Sequence, residues 1–294
     1  MIDELKKLKI VKSHYAGKVR DVFDLGEQLL IITSDRISAY DCVFPNIIPG
    51  KGKILNQISV FFFKNISHII DNHLISNNVD DFPAEFHDFK DQLDGRSVLV
   101  KKSKVIPFEC IARGYISGSA WEEYKHFGTV NSQFVDKNMK QSQRFTQPLF
   151  TPSTKAASGH DENISYNKLL ERIDKNIAEY LKEKSLELYK WAHQFLLERD
   201  IIIADTKFEF GSIGENIILI DEIFTPDSSR FWDKNAYEIG ISPKSYDKQF
   251  IRDFVTKSGW NKMPPAPELP QEVIDKSLEK YKLVYSKITG ETYK

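Results

Sequence analysis

The stretch Ile201-Ile202-Ile203-Ala204-Asp205-Thr206-Lys207-Phe208-Glu209-Phe210-Gly211 constrains the fold more than any other part of the chain. It opens on four apolar residues, the pattern of a buried strand, and then alternates. Successive strand side chains point to opposite faces. Asp205, Lys207 and Glu209 therefore share one face. Thr206, Phe208 and Phe210 share the other, which suits a core. Three charges in line are unusual for a solvated edge when a buried run leads into them. A second apolar strand at 217–220 ends in Asp221-Glu222, and Gly211 and Gly214 permit a hairpin between the two. That hairpin brings Glu209 and Asp221 opposite or diagonal to each other. Two carboxylates held close repel unless a cation or a proton lies between them. Mg²⁺ takes carboxylate oxygens and keeps phosphate oxygens and waters as its other ligands. A salt-bridge ladder through Lys207 satisfies the same spacing, so both readings stand at this point.

The rest of the chain reads as a mixture of elements. Residues 29–33 and 97–101 have strand patterns. Leu55, Ile58, Phe62, Ile66 and Ile69 fall at helical spacing. Residues 120–127 read as a short helix. Residues 141–159 are polar with two prolines and read as a long loop, often a functional element. Ser165 is an N-cap candidate. Leu169, Leu170, Ile173, Ile177, Tyr180 and Leu181 follow it at helical spacing, and the pattern resumes from Leu188 to Leu196. Two late helices are expected near 246–257 and 271–288, with a proline-rich segment at 263–267 between them. This is an α+β chain. Strict β-α alternation is missing, which disfavours a doubly wound parallel sheet. A two-lobe reading divides it into residues 1–108 and 109–294.

Composition excludes several classes. Lys and Arg total 41 against 42 Asp and Glu, a net charge of −1, so no global field favours nucleic acid. The first residues lack the apolar core of a signal peptide, and no run approaches the length of a membrane span. Cys42 and Cys110 lie far apart in no CxxC motif, which argues against a zinc site or a disulfide scaffold. The expectation is a cytoplasmic protein with neither nucleic-acid nor membrane partners.

Other segments concentrate polar chemistry. Gly17-Lys18-Val19-Arg20-Asp21 sets two basic residues at alternate positions after a glycine, a pattern suited to polyphosphate or to an exposed turn. Ser34, Asp35 and Arg36 follow a buried strand, where binding loops sit, and Ser34 and Asp35 equally suit capping and turns. Arg113 and Arg230 each lie beside a Ser-rich turn, fit for phosphate, carboxylate or a surface ion pair. Residues 152–155 and 160–163 pack polar groups into the expected loop and read as a substrate lid or a linker.

In order along the chain stand GKVRD at 17–21, SDRISAYD at 34–41, IPGKG at 48–52, ECIARGYISGSAW at 109–121 and FTPSTKA at 150–156. GHDENIS at 159–165, IIIADTKFEFG at 201–211, DEIFTPDSSRFW at 221–232 and SYDKQFIRD at 245–253 complete the set. Together they resemble the SAICAR synthetase family, in its longer form found in fungi and some bacteria. The resemblance implies a small antiparallel β lobe like a kinase N-lobe, a larger α/β lobe, and ATP in the cleft between. It implies ligation of CAIR with L-aspartate through an acyl phosphate, in a monomer or homodimer. Lys18 and Arg20 would lie over the ATP phosphates, with Lys102 in a hinge near adenine. Glu209 and Asp221 would hold Mg²⁺ and the nucleotide. Lys207 and Asp205 would be catalytic. Arg113, Ser119 and Arg230 would hold the CAIR phosphate and ribose, and Asp35, Lys155 and Asp161 would line the CAIR and aspartate region.

Overall fold

Short apolar runs separated by turns give the first third of the chain an antiparallel meander. The computed structural model describes residues 1–155, 162–246 and 248–293. Helix α1 (Ile2–Leu5) leads into β1 (Ser13–Ala16), β2 (Arg20–Asp24) and β3 (Gln28–Thr33). Strands β4 (Arg36–Ala39) and β5 (Cys42–Ile47) form a separate hairpin. Helix α2 (Lys51–Asn65), strand β6 (Leu74–Ser76), helix α3 (Lys90–Leu93) and strand β7 (Ser97–Lys101) follow. The first sheet runs in the order β1-β2-β3-β7-β6, antiparallel throughout. Strand β3 is apolar on both faces because both faces are covered. Leu30 and Ile32 pack with Phe23, Phe82 and Phe86, whereas Leu29 and Ile31 meet Val60 of α2.

Strand β8 (Lys104–Val105) begins a second sheet. Next come β9 (Phe108–Tyr115), α4 (Ser119–Phe127), the β10 (Thr129–Val130) and β11 (Gln133–Phe134) hairpin, β12 (Arg144–Phe150) and β13 (Ser153–Thr154). Helices α5 (Tyr166–Leu170) and α6 (Lys175–Leu197) precede β14 (Ile201–Ile213), β15 (Asn216–Ile220) and β16 (Ser229–Asp233). Helices α7 (Gln249–Lys257) and α8 (Gln271–Thr289) close the chain. Strand β14 is the spine, pairing antiparallel with β8, β9, β15 and β16. Phe208 and Phe210 enter one large core with Cys110, Ala112, Leu188 and Ala192. Helix α2 joins the same core: Phe224 stacks edge-on between Phe62, at 5.0 Å, and Phe208, at 5.3 Å.

The alternation along β14 therefore holds, and so does the α+β class. Ser165 caps α5, its side chain accepting from the Lys168 N–H at 3.3 Å. Two expectations are corrected. Residues 141–159 are not one loop, because β12 and β13 pair with β9 there. An outer strand needs only one paired edge and one buried face, so it carries Arg144 and Gln147 without an apolar pattern. Its register shifts between Arg144 and Leu149, the stretch that contains Pro148. The helix expected after Ser165 is also two helices. Asp174 interrupts it and caps α6 through the N–H groups of Asn176 and Ile177. Both cysteines are buried and unpaired with each other. No helix among the described residues is long and apolar enough to cross a membrane.

His73 is buried, and its Nε2 meets no hydrogen-bond partner among the described residues. Burial and the nearby Arg20 charge push its pKa down to about 3. Burial likewise pushes His193 down to about 4. An unfolded histidine takes up a proton below about 6.5, while these remain neutral in the fold. Stability should therefore fall as pH drops from about 6.5 toward 4, with His73 contributing about 1.4 kcal/mol per pH unit. Urea denaturation across that range checks this. His73→Asn should flatten the slope, and a slope as steep in the variant as in the parent would contradict the assignment.

Candidate active site

Strands β9, β14 and β16 lie side by side, so their outward residues form one charged ladder. Asp205 is register partner to both Arg113 and Arg230. Its Oδ2 accepts a short bond from Arg230 and lies 3.5 Å from Arg113. Lys207 donates to Glu109 at 2.5 Å and to Glu209 at 3.3 Å. The other oxygen of Glu209 accepts from Lys155. Glu209 is register partner to Ile220, which places Asp221 one residue further on, with φ 68°. Arg20 of β2 crosses from the first sheet to Asp221 at 2.8 Å and Glu222 at 3.4 Å. The hairpin thus sets the two carboxylates diagonal to each other, with Lys155 and Lys207 at Glu209 and Arg20 at Asp221.

The charges are mutually dependent. Burial opposes the Lys207 ammonium, but Glu209, Glu109 and Asp221 outweigh it and raise its pKa. Burial opposes the Asp221 carboxylate, but Arg20, Lys207 and Lys155 outweigh it and lower its pKa. Arg20 is raised in the same way by Asp221 and Glu222 against its burial. Among the described residues no group of three or more metal-ligating side chains gathers. Glu209 and Asp221 still offer hard oxygens from two adjacent carboxylates. That set fits Mg²⁺, which takes its remaining ligands from phosphate and water.

A cleft of about 720 Å³ opens over this ladder. Lys18, the Tyr40-Asp41 turn, Glu109, Ser119, Lys207, Arg230, Lys248 and Arg252 are among the residues that line it. Its volume suits a small ligand, and its lining suits an anionic one. Gly118 makes room for Arg230. It has φ 55°, and a Cβ there would stand 2.6 Å from the Arg230 guanidinium.

The structure sorts the anticipated residues. Lys18, Ser119, Lys207 and Arg230 line the cleft, and Lys18 pairs with Asp41. Arg20, Lys155, Glu209 and Asp221 form the adjoining ion cluster. Asp205 lines a smaller side cavity with Arg230 and Lys248. Arg113, register partner of Asp205, is buried and donates to Thr151 at 2.9 Å. Asp35 is not among the cleft-lining residues; it accepts from the Gly52 N–H at 2.8 Å, near the start of α2, and pairs with Arg96 at 3.3 Å. Lys102 pairs with Asp24 at 2.8 Å on an exposed turn. Asp161 lies outside the described residues. Glu109, Lys248 and Arg252 are cleft residues that the sequence reading did not single out. Glu109 was accessible by the same period-two logic, since it precedes Arg113 by four residues on one strand. Lys248 and Arg252 carry no such signal.

A family model described as SAICAR synthetase matches residues 13–267. The chain is 49% identical over 288 residues to the phosphoribosylaminoimidazole-succinocarboxamide synthase of Maridesulfovibrio salexigens, covering 97% of this chain and 95% of that one. It is 51% identical over 275 residues to the enzyme of that name from Geotalea uraniireducens, covering 93% of each. The solved SAICAR synthase from Saccharomyces cerevisiae, complexed with SAICAR, superposes with a TM-score of 0.88 at 42% identity, covering 97% of both chains.

Gly118→Ala should strain the backbone at positive φ and drive Arg230 off Asp205. The expected loss is about 1–3 kcal/mol in urea denaturation, with Arg230 turned away in the crystal structure of the variant. Unchanged stability with Arg230 in place would contradict this reading of the glycine.

Proposed function

Because the chain belongs to the SAICAR synthetase family, we propose that it joins the carboxylate of CAIR to the α-amine of L-aspartate at the expense of ATP. The products are SAICAR, ADP and phosphate, a step of de novo purine biosynthesis. The observation that carries this reading is Lys207 held between Glu109 and Glu209, with the Asp221 charge nearby, in a cleft that Lys18, Arg230, Lys248 and Arg252 also line. That cationic lining suits a polyphosphate and a phosphorylated substrate. The names of the relatives, and the SAICAR held by the yeast structure, support SAICAR as the product.

A carboxylate is a poor electrophile. In the proposed reaction an oxygen of the CAIR carboxylate attacks the γ-phosphorus of ATP and ADP departs, leaving an acyl phosphate. The aspartate nitrogen then attacks the carbonyl carbon, the bond to phosphate breaks, and the nitrogen loses a proton. Negative charge builds on the transferring group, so fixed cations are the main requirement. Lys18 and Arg20 serve the phosphates, and Lys207 neutralises charge at the reacting carboxylate. Glu209 and Asp221 would hold Mg²⁺, which supplies further neutralisation of the phosphate oxygens. Asp205 fixes Arg230, and Arg230 with Ser119 and Arg113 holds the CAIR phosphate and ribose. Asp35, Lys155 and Asp161 belong to the CAIR and aspartate region, and Lys102 to the hinge near adenine. In this reading residues 1–108 form the nucleotide lobe and 109–294 the metal and substrate lobe of a cytoplasmic monomer or homodimer.

ADP release should require CAIR and aspartate together; full turnover with CAIR alone would replace the ligase reading with a kinase. Asp221→Asn should lower kcat by about 100-fold or more while the protein still folds cooperatively. A near-parental kcat in that variant would contradict the role given to Asp221.

A further inference from the structure

A second buried charge cluster lies beside the cleft. Asp227 sits in the turn between β15 and β16, with its side chain 1% exposed. Its Oδ2 accepts from Lys51 at 2.8 Å and Lys248 at 3.0 Å. Its Oδ1 accepts from the Tyr281 hydroxyl at 2.9 Å. Lys51 is the first residue of α2, Lys248 precedes α7, and Tyr281 lies midway along α8. Three distant segments thus converge on one carboxylate.

The members differ in access. Lys51 is sealed, its remaining bond going to the Arg36 carbonyl at 3.1 Å. Lys248 is 11% exposed and lines both the main cleft and the side cavity, together with Arg230 and Arg252. Tyr281 is buried and is not among the residues that line either cavity. It also stands beyond residue 267, where the family match ends. A carboxylate bound through both oxygens has a fixed plane. Freed on one side it can turn, and its hold on a shared lysine loosens.

We propose that Tyr281, on the C-terminal helix, is a positioning residue for the cleft: it fixes the Asp227 carboxylate, which in turn holds Lys248 beside Arg230 and Arg252 as a further cation for the anionic group of the ribonucleotide substrate. This rests on the CAIR reading of the cleft. It makes α8 a working part of the site as well as a packing element.

The test compares Tyr281→Phe, Lys248→Met and the double variant in steady-state kinetics, with thermal denaturation alongside. Tyr281→Phe should raise KM for CAIR about three- to tenfold, the span expected when one bond to a buried charge is lost and partly transmitted. KM for ATP and kcat should stay within about twofold of the parent, since a lost ground-state contact acts on KM. Lys248→Met should raise KM for CAIR at least as much, and adding Tyr281→Phe to it should change KM no further. A Tyr281→Phe effect confined to the melting temperature, or one equally large in the Lys248→Met background, would overturn the proposal. Parental protein that neither binds CAIR calorimetrically nor releases ADP with CAIR and aspartate together would instead overturn the function reading on which the proposal stands.

Discussion

The outward face of β14 carries Asp205, Lys207 and Glu209 on a strand whose other face is core, and every other part of the site answers to that fact. A charge half-withdrawn from water is tolerable only when it is paired and hydrogen-bonded. Neighbouring strands supply the pairing, with Glu109 and Arg113 from β9 and Arg230 from β16. Arg20 extends the same network to the first sheet. The charges therefore do two things at once. They hold two sheets in register at one place, and in the proposed reaction they would favour phosphate at Lys207 and a cation at Glu209 and Asp221.

Packing keeps that field in position. Phe208 on the inner face of β14 touches Phe224, and Phe224 touches Phe62 of α2, so the strand and the helix are set by one aromatic contact chain. The start of α2 is fixed in turn by Asp35 at the Gly52 N–H and by Lys51 at Asp227. Arg36 then reaches from β4 to the carbonyls of Gly17 and Lys18 and to Asp21. The loop bearing Lys18 is thereby tied, through Arg36 and Lys51, to the same buried Asp227 that holds Lys248.

Much of this was legible in the sequence where local periodicity decides the structure. The two faces of β14, the β14–β15 hairpin, the Ser165 cap and the two late helices all follow from spacing within a few residues. The strands at 144–154 were not legible, because an outer strand is specified by the β9 edge it joins and not by its own pattern. Asp174 was missed as a helix break because apolar residues at helical spacing run on through α5 and α6. At the site, Lys207, Glu209 and Asp221 stood out because they lie within one hairpin. Lys248, Asp227 and Tyr281 did not, since only the tertiary fold brings residues from three segments onto one carboxylate. Asp35 shows the converse. Its motif is prominent, yet its carboxylate is engaged by the Gly52 N–H and Arg96.

In the proposed function Glu209 and Asp221 form a cation site that works with a bound nucleotide. Calorimetric titration of ADP with and without Mg²⁺, in the parent and in Glu209→Gln, tests it most directly. The account predicts that Mg²⁺ tightens ADP binding in the parent by about tenfold or more and has little effect in the variant. An equal Mg²⁺ effect in both proteins would contradict it.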